Sequence, residues 1–306
     1  MFNFTRFKKS IILLASLLII IGVFTGCGEK ADVIKVGSKE FSEQLILGQI
    51  TLLALQDAGY KVEDKTNIAG SDKVRSALEN GNIDVYWEYT GTAWLMHLQN
   101  DEAITDSEEC YIKVKEEDAK KDLIWMNYAP LNNTYTVMMT QAASDNLGVT
   151  TISELADYIN QNPEELIFAG DHEFTGRPDG MVALEEAYGF SFGENQVKEM
   201  GMGIIYKTLQ EEQVEVGMGF ATDGRIAAYD LVNLEDDRNF FPVYNAAPVF
   251  RKETFEKHPE LSSVLDPIIE RLDTETITQL NYQVDIEEKE PKEVAREWLQ
   301  SEGLIK

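Results

Sequence analysis

Between Val33 and Trp87 the sequence alternates between short apolar runs and amphipathic stretches, and that alternation narrows the folds open to it more than any other feature. Val33-Ile34-Lys35-Val36 reads as a buried strand ending at Gly37-Ser38. From Phe41 to Leu55 the apolar residues Ile46, Ile50 and Leu53 recur at helical spacing. Glu43 stands in the first turn, where a carboxylate favours the helix dipole, and Gly59 lies just past the end. Tyr60 to Glu63 predicts a second strand, Ser71-Asp72 the cap of a helix through Leu78, and Ile83 to Trp87 a third strand. Strands separated by helices imply a parallel sheet with right-handed crossovers, and such sheets take ligands at the carboxyl ends of their strands. Ser38-Lys39-Glu40-Phe41 follows the first strand and Glu88-Tyr89-Thr90-Gly91-Thr92 the third. Both loops should open on one edge and bring Lys39, Tyr89 and Thr92 together.

The alternation then restarts. A β-rich run at Tyr135 to Thr140 precedes Thr151-Ile152-Ser153-Glu154, the pattern of a capping box. Leu166 to Ala169 reads as a strand followed by the polar loop Thr175-Gly176-Arg177-Pro178-Asp179-Gly180. Glu215 to Phe220 reads as another, followed by Ala221-Thr222-Asp223-Gly224-Arg225. Asn239 to Val243 leads to Tyr244-Asn245-Ala246-Ala247-Pro248-Val249, which reads as the return crossing, and Pro259 to Ile305 reads as largely helical. The fold class is α/β. Residues 33–134 and 245–306 are expected to form one lobe and residues 135–244 a second, because a chain of this length exceeds one ordinary core. There is no fixed-period repeat.

The first residues have a different character. Arg6, Lys8 and Lys9 precede an apolar run from Ile11 to Phe24, which ends at Thr25-Gly26-Cys27. The run is shorter than the about 20 residues a spanning helix needs, so residues 1–26 read as a cleaved signal peptide. Phe24-Thr25-Gly26-Cys27 resembles a bacterial lipobox, with Phe24 where Leu is usual. Cys27 is then the expected lipidation site, and residues 27–32 a tether to the cell membrane. If Cys27 carries lipid, Cys110 has no intramolecular partner. The formal charge of −27 makes nucleic acid an improbable partner.

Catalytic patterns are missing. His97, His172 and His258 are isolated, and there is no His-Glu-x-x-His, Gly-x-Ser-x-Gly or phosphate-cradling loop. Neither an enzyme nor the ATPase of a transporter is indicated, and no cofactor or metal is expected. What the strand ends share is aromatic: Tyr89, Tyr135, Phe220 and Tyr244 each adjoin a strand end or a crossing. A methylated ammonium has no N–H to donate, and aromatic faces hold it instead, each for about 0.5–2 kcal/mol. Core aromatics occupy the same kind of position, and spacing does not separate the two.

Gly37-Ser38-Lys39-Glu40-Phe41-Ser42-Glu43-Gln44, Glu88-Tyr89-Thr90-Gly91-Thr92, Thr222-Asp223-Gly224-Arg225 and Tyr244-Asn245-Ala246-Ala247-Pro248 appear in this order, with Leu280-Asn281-Tyr282-Gln283-Val284-Asp285 near the end. On these motifs the chain resembles, from about Val33 to Ile305, the glycine betaine, carnitine and choline-binding proteins of osmoprotectant ABC transporters. The resemblance implies a two-lobed periplasmic-binding-protein fold (type II) with two hinge crossings. It implies an aromatic cage of Tyr89, Tyr135, Phe220 and Tyr244, carboxylate-binding positions at Lys39, Thr92 and Arg177, and Asn133 as a further polar ligand-binding residue. Asn133 stands where relatives often have Asp, Trp87 where Pro is common, and Phe220 where Tyr is frequent. The implied ligand is a quaternary ammonium osmolyte, glycine betaine or carnitine ahead of choline. The implied partners are a permease and its ATPase, with the protein acting outside the cytoplasm as a lipid-anchored monomer. The alternatives are a ligand-sensing subunit, or a binding protein for another small cationic amine or amino acid; a primary amine would want acids in the cleft.

Overall fold

In the computed structural model, which describes residues 33–177, 179–193 and 195–306, the first strand β1 (Val33–Gly37) leads into α1 (Ser42–Asp57). This helix is buried nearly all round, from Ile46 and Leu47 to Leu55, as a core helix must be. After β2 (Lys61–Lys65), α2 (Ser71–Glu79) starts at Ser71 itself, with Gly70 as its cap residue. The expected Ser71 cap is therefore not made, and its hydroxyl instead donates to Glu173 Oε1 at 2.9 Å.

The third strand, β3 (Val85–Tyr89), is displaced by two residues from the sequence expectation. Ile83 N still bonds back to Ala77 O in the turn after α2, and Lys35 N donates to the Asp84 carboxylate. Regular pairing begins only beyond these contacts. Glu88 and Tyr89 consequently lie in the strand, and Thr90–Thr92 form the short helix α3, continued as a π-helical turn over Ala93–His97. Then come α4 (Ser107–Ala119) and β4 (Leu123–Trp125).

The chain enters a second sheet at β5 (Tyr135–Thr140). It continues through α5 (Gln141–Leu147) and α6 (Ile152–Gln161), whose Thr151/Glu154 capping box is formed. There follow β6 (Phe168–Gly170), α7 (His172–Gly176), α8 (Met181–Tyr188), β7 (Val197–Glu199) and α9 (Met202–Gln210). β8 (Val216–Phe220), α10 (Arg225–Ala228) and β9 (Leu231–Asn233) complete this part. Ahead of the return crossing, the Asp236 carboxylate accepts from the Phe240 and Phe241 backbone amides. β10 (Ala246–Arg251) and α11 (Lys252–Lys257) return to the first sheet. The chain closes with α12 (Leu261–Ile269), α13 (Thr274–Asp285) and α14 (Pro291–Ser301), the expected helical end.

The two-lobed α/β arrangement is present, but neither sheet is wholly parallel. The strand orders are β2-β1-β3-β10-β4 and β7-β6-β8-β5-β9. β1 and β3 are parallel, as are β6, β7 and β8, whereas β10 and β5 run antiparallel to both neighbours. The physical reason is connectivity. β5 and β10 are entered from the other lobe rather than by a helical crossover, so they approach from the opposite end. The register then sets Tyr135 opposite Phe220 and Ala246 opposite Tyr89. The carboxyl ends of β3 and β8 thus face the starts of the crossing strands β10 and β5.

The two crossings are bonded to each other. Tyr244 N donates to Asn132 Oδ1 at 2.7 Å, Asn133 N to Tyr244 O at 3.1 Å, and Asn245 Nδ2 to Leu131 O at 2.8 Å. Gly91 lies against them, and a Cβ there would stand 2.6 Å from Val243 O and 3.0 Å from the Tyr244 ring. Gly91→Ala should therefore cost about 1–3 kcal/mol by overpacking. A lowered midpoint in urea is expected; an unchanged one would show that the crossing yields freely.

Candidate functional site

A cavity of about 400 Å³ opens between the lobes. Lys39, Tyr89, Thr92, Asn133, Tyr135, Arg177, Phe220 and Tyr244, the eight positions singled out in the sequence, all line it. The strand register explains the convergence. Tyr89 and Phe220 end β3 and β8, Tyr135 begins β5, and Tyr244 stands two residues before β10.

The rings make a continuous wall. Tyr135 lies 5.3 Å from Phe220 and 5.4 Å from Tyr244, the latter edge to face. Phe41 closes the gap, stacked 5.4 Å from Phe220 and 6.3 Å from Tyr89. Such a box offers π faces to a cation and apolar surface to methyl groups. Two protein cations already lie over it. Lys39 Nζ is 5.1 Å from the Tyr89 centroid, and Arg177 Cζ is 5.4 Å and 5.8 Å from those of Tyr135 and Tyr244.

Each of these cations is held by a carboxylate of its own lobe. Lys39 Nζ donates to Glu88 Oε1 at 2.7 Å, with Lys39 and Glu88 both buried. Glu88 also accepts from Tyr89 N and Tyr86 OH, and His97 Nε2 lies 2.9 Å from its other oxygen. Burial pushes the Glu88 carboxyl up, but the Lys39 and His97 charges and hydrogen bonds outweigh it and hold the group well below the usual carboxylate range. In the second lobe Arg177 makes a fork on Asp179, Nε to Oδ1 and Nη2 to Oδ2, both at 2.7 Å, and Nη1 donates to Glu173 Oε1 at 3.1 Å. The Tyr244 hydroxyl donates to Asp179 as well, so one carboxylate sets both the guanidinium and a ring. An ammonium has three donors and a guanidinium five, which leaves capacity on both for an incoming anion.

The cavity is not uniformly basic. Glu40, Asp171 and Glu173 also line it. Glu40 accepts from Gly70 N, and Asp171 caps α7 through Phe174 N. Burial raises the Asp171 pKa, whereas for Glu173 the cations Lys39 and Arg177 overcome burial and lower it.

Several residues of this site escaped the sequence reading. Phe41 lay within the quoted Ser38–Phe41 loop, on the edge expected to carry the ligand, and could have been found there. Asp179 stands two positions from Arg177 in a quoted loop. Glu88 adjoins Tyr89, but its partners His97 and Lys39 are distant in sequence, and no local spacing announces them.

The family described as the substrate binding domain of the ABC-type glycine betaine transport system matches residues 32–301. The chain is 40% identical over 289 residues to the glycine-betaine-binding protein of Pseudomonas aeruginosa, covering 93% of this chain and 92% of that one. It is 33% identical to the glycine betaine-binding protein YehZ of Escherichia coli, covering 91% and 93%. A crystal structure described as a glycine betaine/carnitine/choline ABC transporter superposes with a TM-score of 0.73 at 31% identity, covering 89% of this chain and 99% of that one.

Glu88→Gln removes the counter-charge of Lys39 inside the protein and should cost about 3–5 kcal/mol near neutral pH. Because the folded-state pKa of Glu88 is depressed, its contribution is full above the unfolded value of about 4.3 and fades as pH falls toward the folded one. Urea melts from pH 7 to 3 should therefore show the gap between wild type and variant narrowing with acid. A gap constant with pH would contradict the assignment.

Proposed function

Because this chain belongs to the family of substrate-binding domains of ABC-type glycine betaine transport systems, we propose that it captures a trimethylammonium zwitterion in the aromatic box and delivers it to a permease and its ATPase. Binding proteins of ABC importers are not enzymes and work outside the cytoplasmic membrane. In this reading Tyr89, Tyr135, Phe220 and Tyr244 surround the ammonium, with Phe41 as a fifth wall. Lys39, Thr92 and Arg177 take the carboxylate, and Asn133 fixes the position of Tyr89 from the crossing.

The observation that carries the reading is the pair of fixed cations beside the rings. After their own carboxylates are served, Lys39 and Arg177 keep donors in reserve. A betaine brings a carboxylate that accepts from them by charge-assisted hydrogen bonds, and choline has no carboxylate to offer. Phe220 supplies a π face without the hydroxyl of a tyrosine, so hydrogen bonding at that wall falls to other groups.

Lipid anchoring through Cys27 belongs to the same proposal. Residues 1–32 lie outside the described residues, and the lipobox-like Phe24-Thr25-Gly26-Cys27 sequence is what supports it. The lobe boundaries at 134/135 and 244/245 are the proposed hinges, supported by the bonded crossings. A second reading, a ligand carrying N–H groups, is favoured by the acids Glu40, Asp171 and Glu173 at the cavity wall.

Calorimetric titration with glycine betaine, carnitine, choline and unmethylated glycine separates these readings. Glycine betaine or carnitine should bind at least tenfold more tightly than choline and glycine, and Tyr244→Ala should weaken the bound betaine about tenfold or more. Preference for glycine would favour the N–H reading. Equal betaine affinity in wild type and Tyr244→Ala would remove the cage.

A further inference from the structure

Glu43 lies behind the Tyr89 ring, 2% exposed, in the first turn of α1. Four donors converge on its two oxygens. Tyr89 OH and Asn133 Nδ2 donate to Oε1 at 2.6 and 3.0 Å, and Thr222 Oγ1 and Asn281 Nδ2 to Oε2 at 2.6 and 3.1 Å. Burial raises its pKa, and the same four hydrogen bonds act in the opposite direction. These donors come from different parts of the molecule. Tyr89 is a wall of the box on β3, Asn133 sits on a crossing, and Asn281 is on α13. Thr222 follows β8 in the second lobe.

The turn carrying Thr222 is also pressed onto first-lobe helices by contacts that do not involve Glu43. Asn281 Nδ2 donates to Thr222 O at 2.9 Å. Arg225 Nη2 reaches Asp285 Oδ2 at 3.3 Å, and Ser42 Oγ of α1 donates to Asp285 Oδ1 at 2.5 Å. A Cβ on Gly224 would stand 2.7 Å from Tyr282 Cα, so the two backbones approach as closely as glycine permits. This packing accounts for the Thr222-Asp223-Gly224-Arg225 motif, which lines little of the ligand cavity itself.

We propose that Glu43 is a positioning residue that couples the setting of the Tyr89 wall to closure of the second lobe, through a hydrogen bond from Thr222 that exists only when the lobes are together. The proposal rests on the reading of the cleft as a closing ligand site. A carboxylate suits the role because it accepts on both oxygens and donates from neither. Closure delivers Thr222 to Oε2 while Oε1 holds the Tyr89 hydroxyl, so one rigid group senses both. Glutamine has the same shape but turns an N–H2 toward two of the four donors.

The test uses Glu43→Gln, Thr222→Val and the double variant of the full chain, titrated calorimetrically with glycine betaine. Thr222→Val should weaken binding about ten- to a hundredfold, the loss of one hydrogen bond to a charged group, and Glu43→Gln at least as much, since it opposes two of the four donors. The double variant should be no more than about twofold weaker than Glu43→Gln, because the two residues act as one unit. Thr222→Val should leave the far-UV circular dichroism spectrum unchanged, which separates coupling from general damage. If the losses multiply in the double variant, the proposal is overturned. If the wild type binds no glycine betaine, the ligand assignment falls on its own, and small-angle scattering of the ligand-free proteins decides the coupling. A larger radius of gyration for Thr222→Val than for wild type supports it; equal radii overturn it.

Discussion

The buried ion pair between Lys39 and Glu88 is the constraint around which the first lobe's contribution to the site is arranged. Removing both charges from water is costly, and the pair is stable only because further donors satisfy Glu88. Those donors are the Tyr89 backbone, the Tyr86 hydroxyl and the His97 ring, so the pair ties together the end of β3, the end of the helical turn after it and the loop after β1. The second lobe repeats the device with Arg177 on Asp179, which also takes the Tyr244 hydroxyl. Each lobe therefore presents one cation, held by its own carboxylate and lying over an aromatic ring. The polarity of the cleft is thus set by ion pairs within the protein itself.

The aromatic wall follows from topology rather than from local sequence. Each sheet has one antiparallel strand, and it is the strand that has just crossed between lobes. β10 pairs with β3 and β5 with β8, so the end of one and the start of the other meet at the cleft. Tyr135 against Phe220, and Tyr89 beside the strand that Tyr244 leads into, are consequences of this register. The direct bonds between the crossings keep both pairs at one level.

Much of this was legible in the sequence. The alternation from Val33 to Trp87 gave the order of elements, and the capping box at Thr151 and Glu154 formed as read. All eight chosen positions line one cavity, because strand-end loops in an α/β sheet share an edge. The failures have physical causes. Local chemistry predicts Ser71 as a cap, but a partner 102 residues away, Glu173, takes its hydroxyl. The sheet was expected to be parallel because helices separate the early strands, and the returning strand β10 reveals its direction only in three dimensions. The third strand started late because Asp84 bonds Lys35 across the sheet. Ion pairing of Lys39 and Arg177 was likewise invisible, since which acid serves which cation is a matter of packing.

In the proposed function the rings face a methylated ammonium while Lys39 and Arg177 face its carboxylate, and a crystal structure of the protein with glycine betaine is the decisive test. The ligand nitrogen is expected within about 6 Å of the centroids of Tyr89, Tyr135, Phe220 and Tyr244, with its carboxylate in hydrogen-bonding reach of Lys39 or Arg177. A nitrogen turned toward Glu40, Asp171 and Glu173, with the carboxylate against the rings, would contradict it.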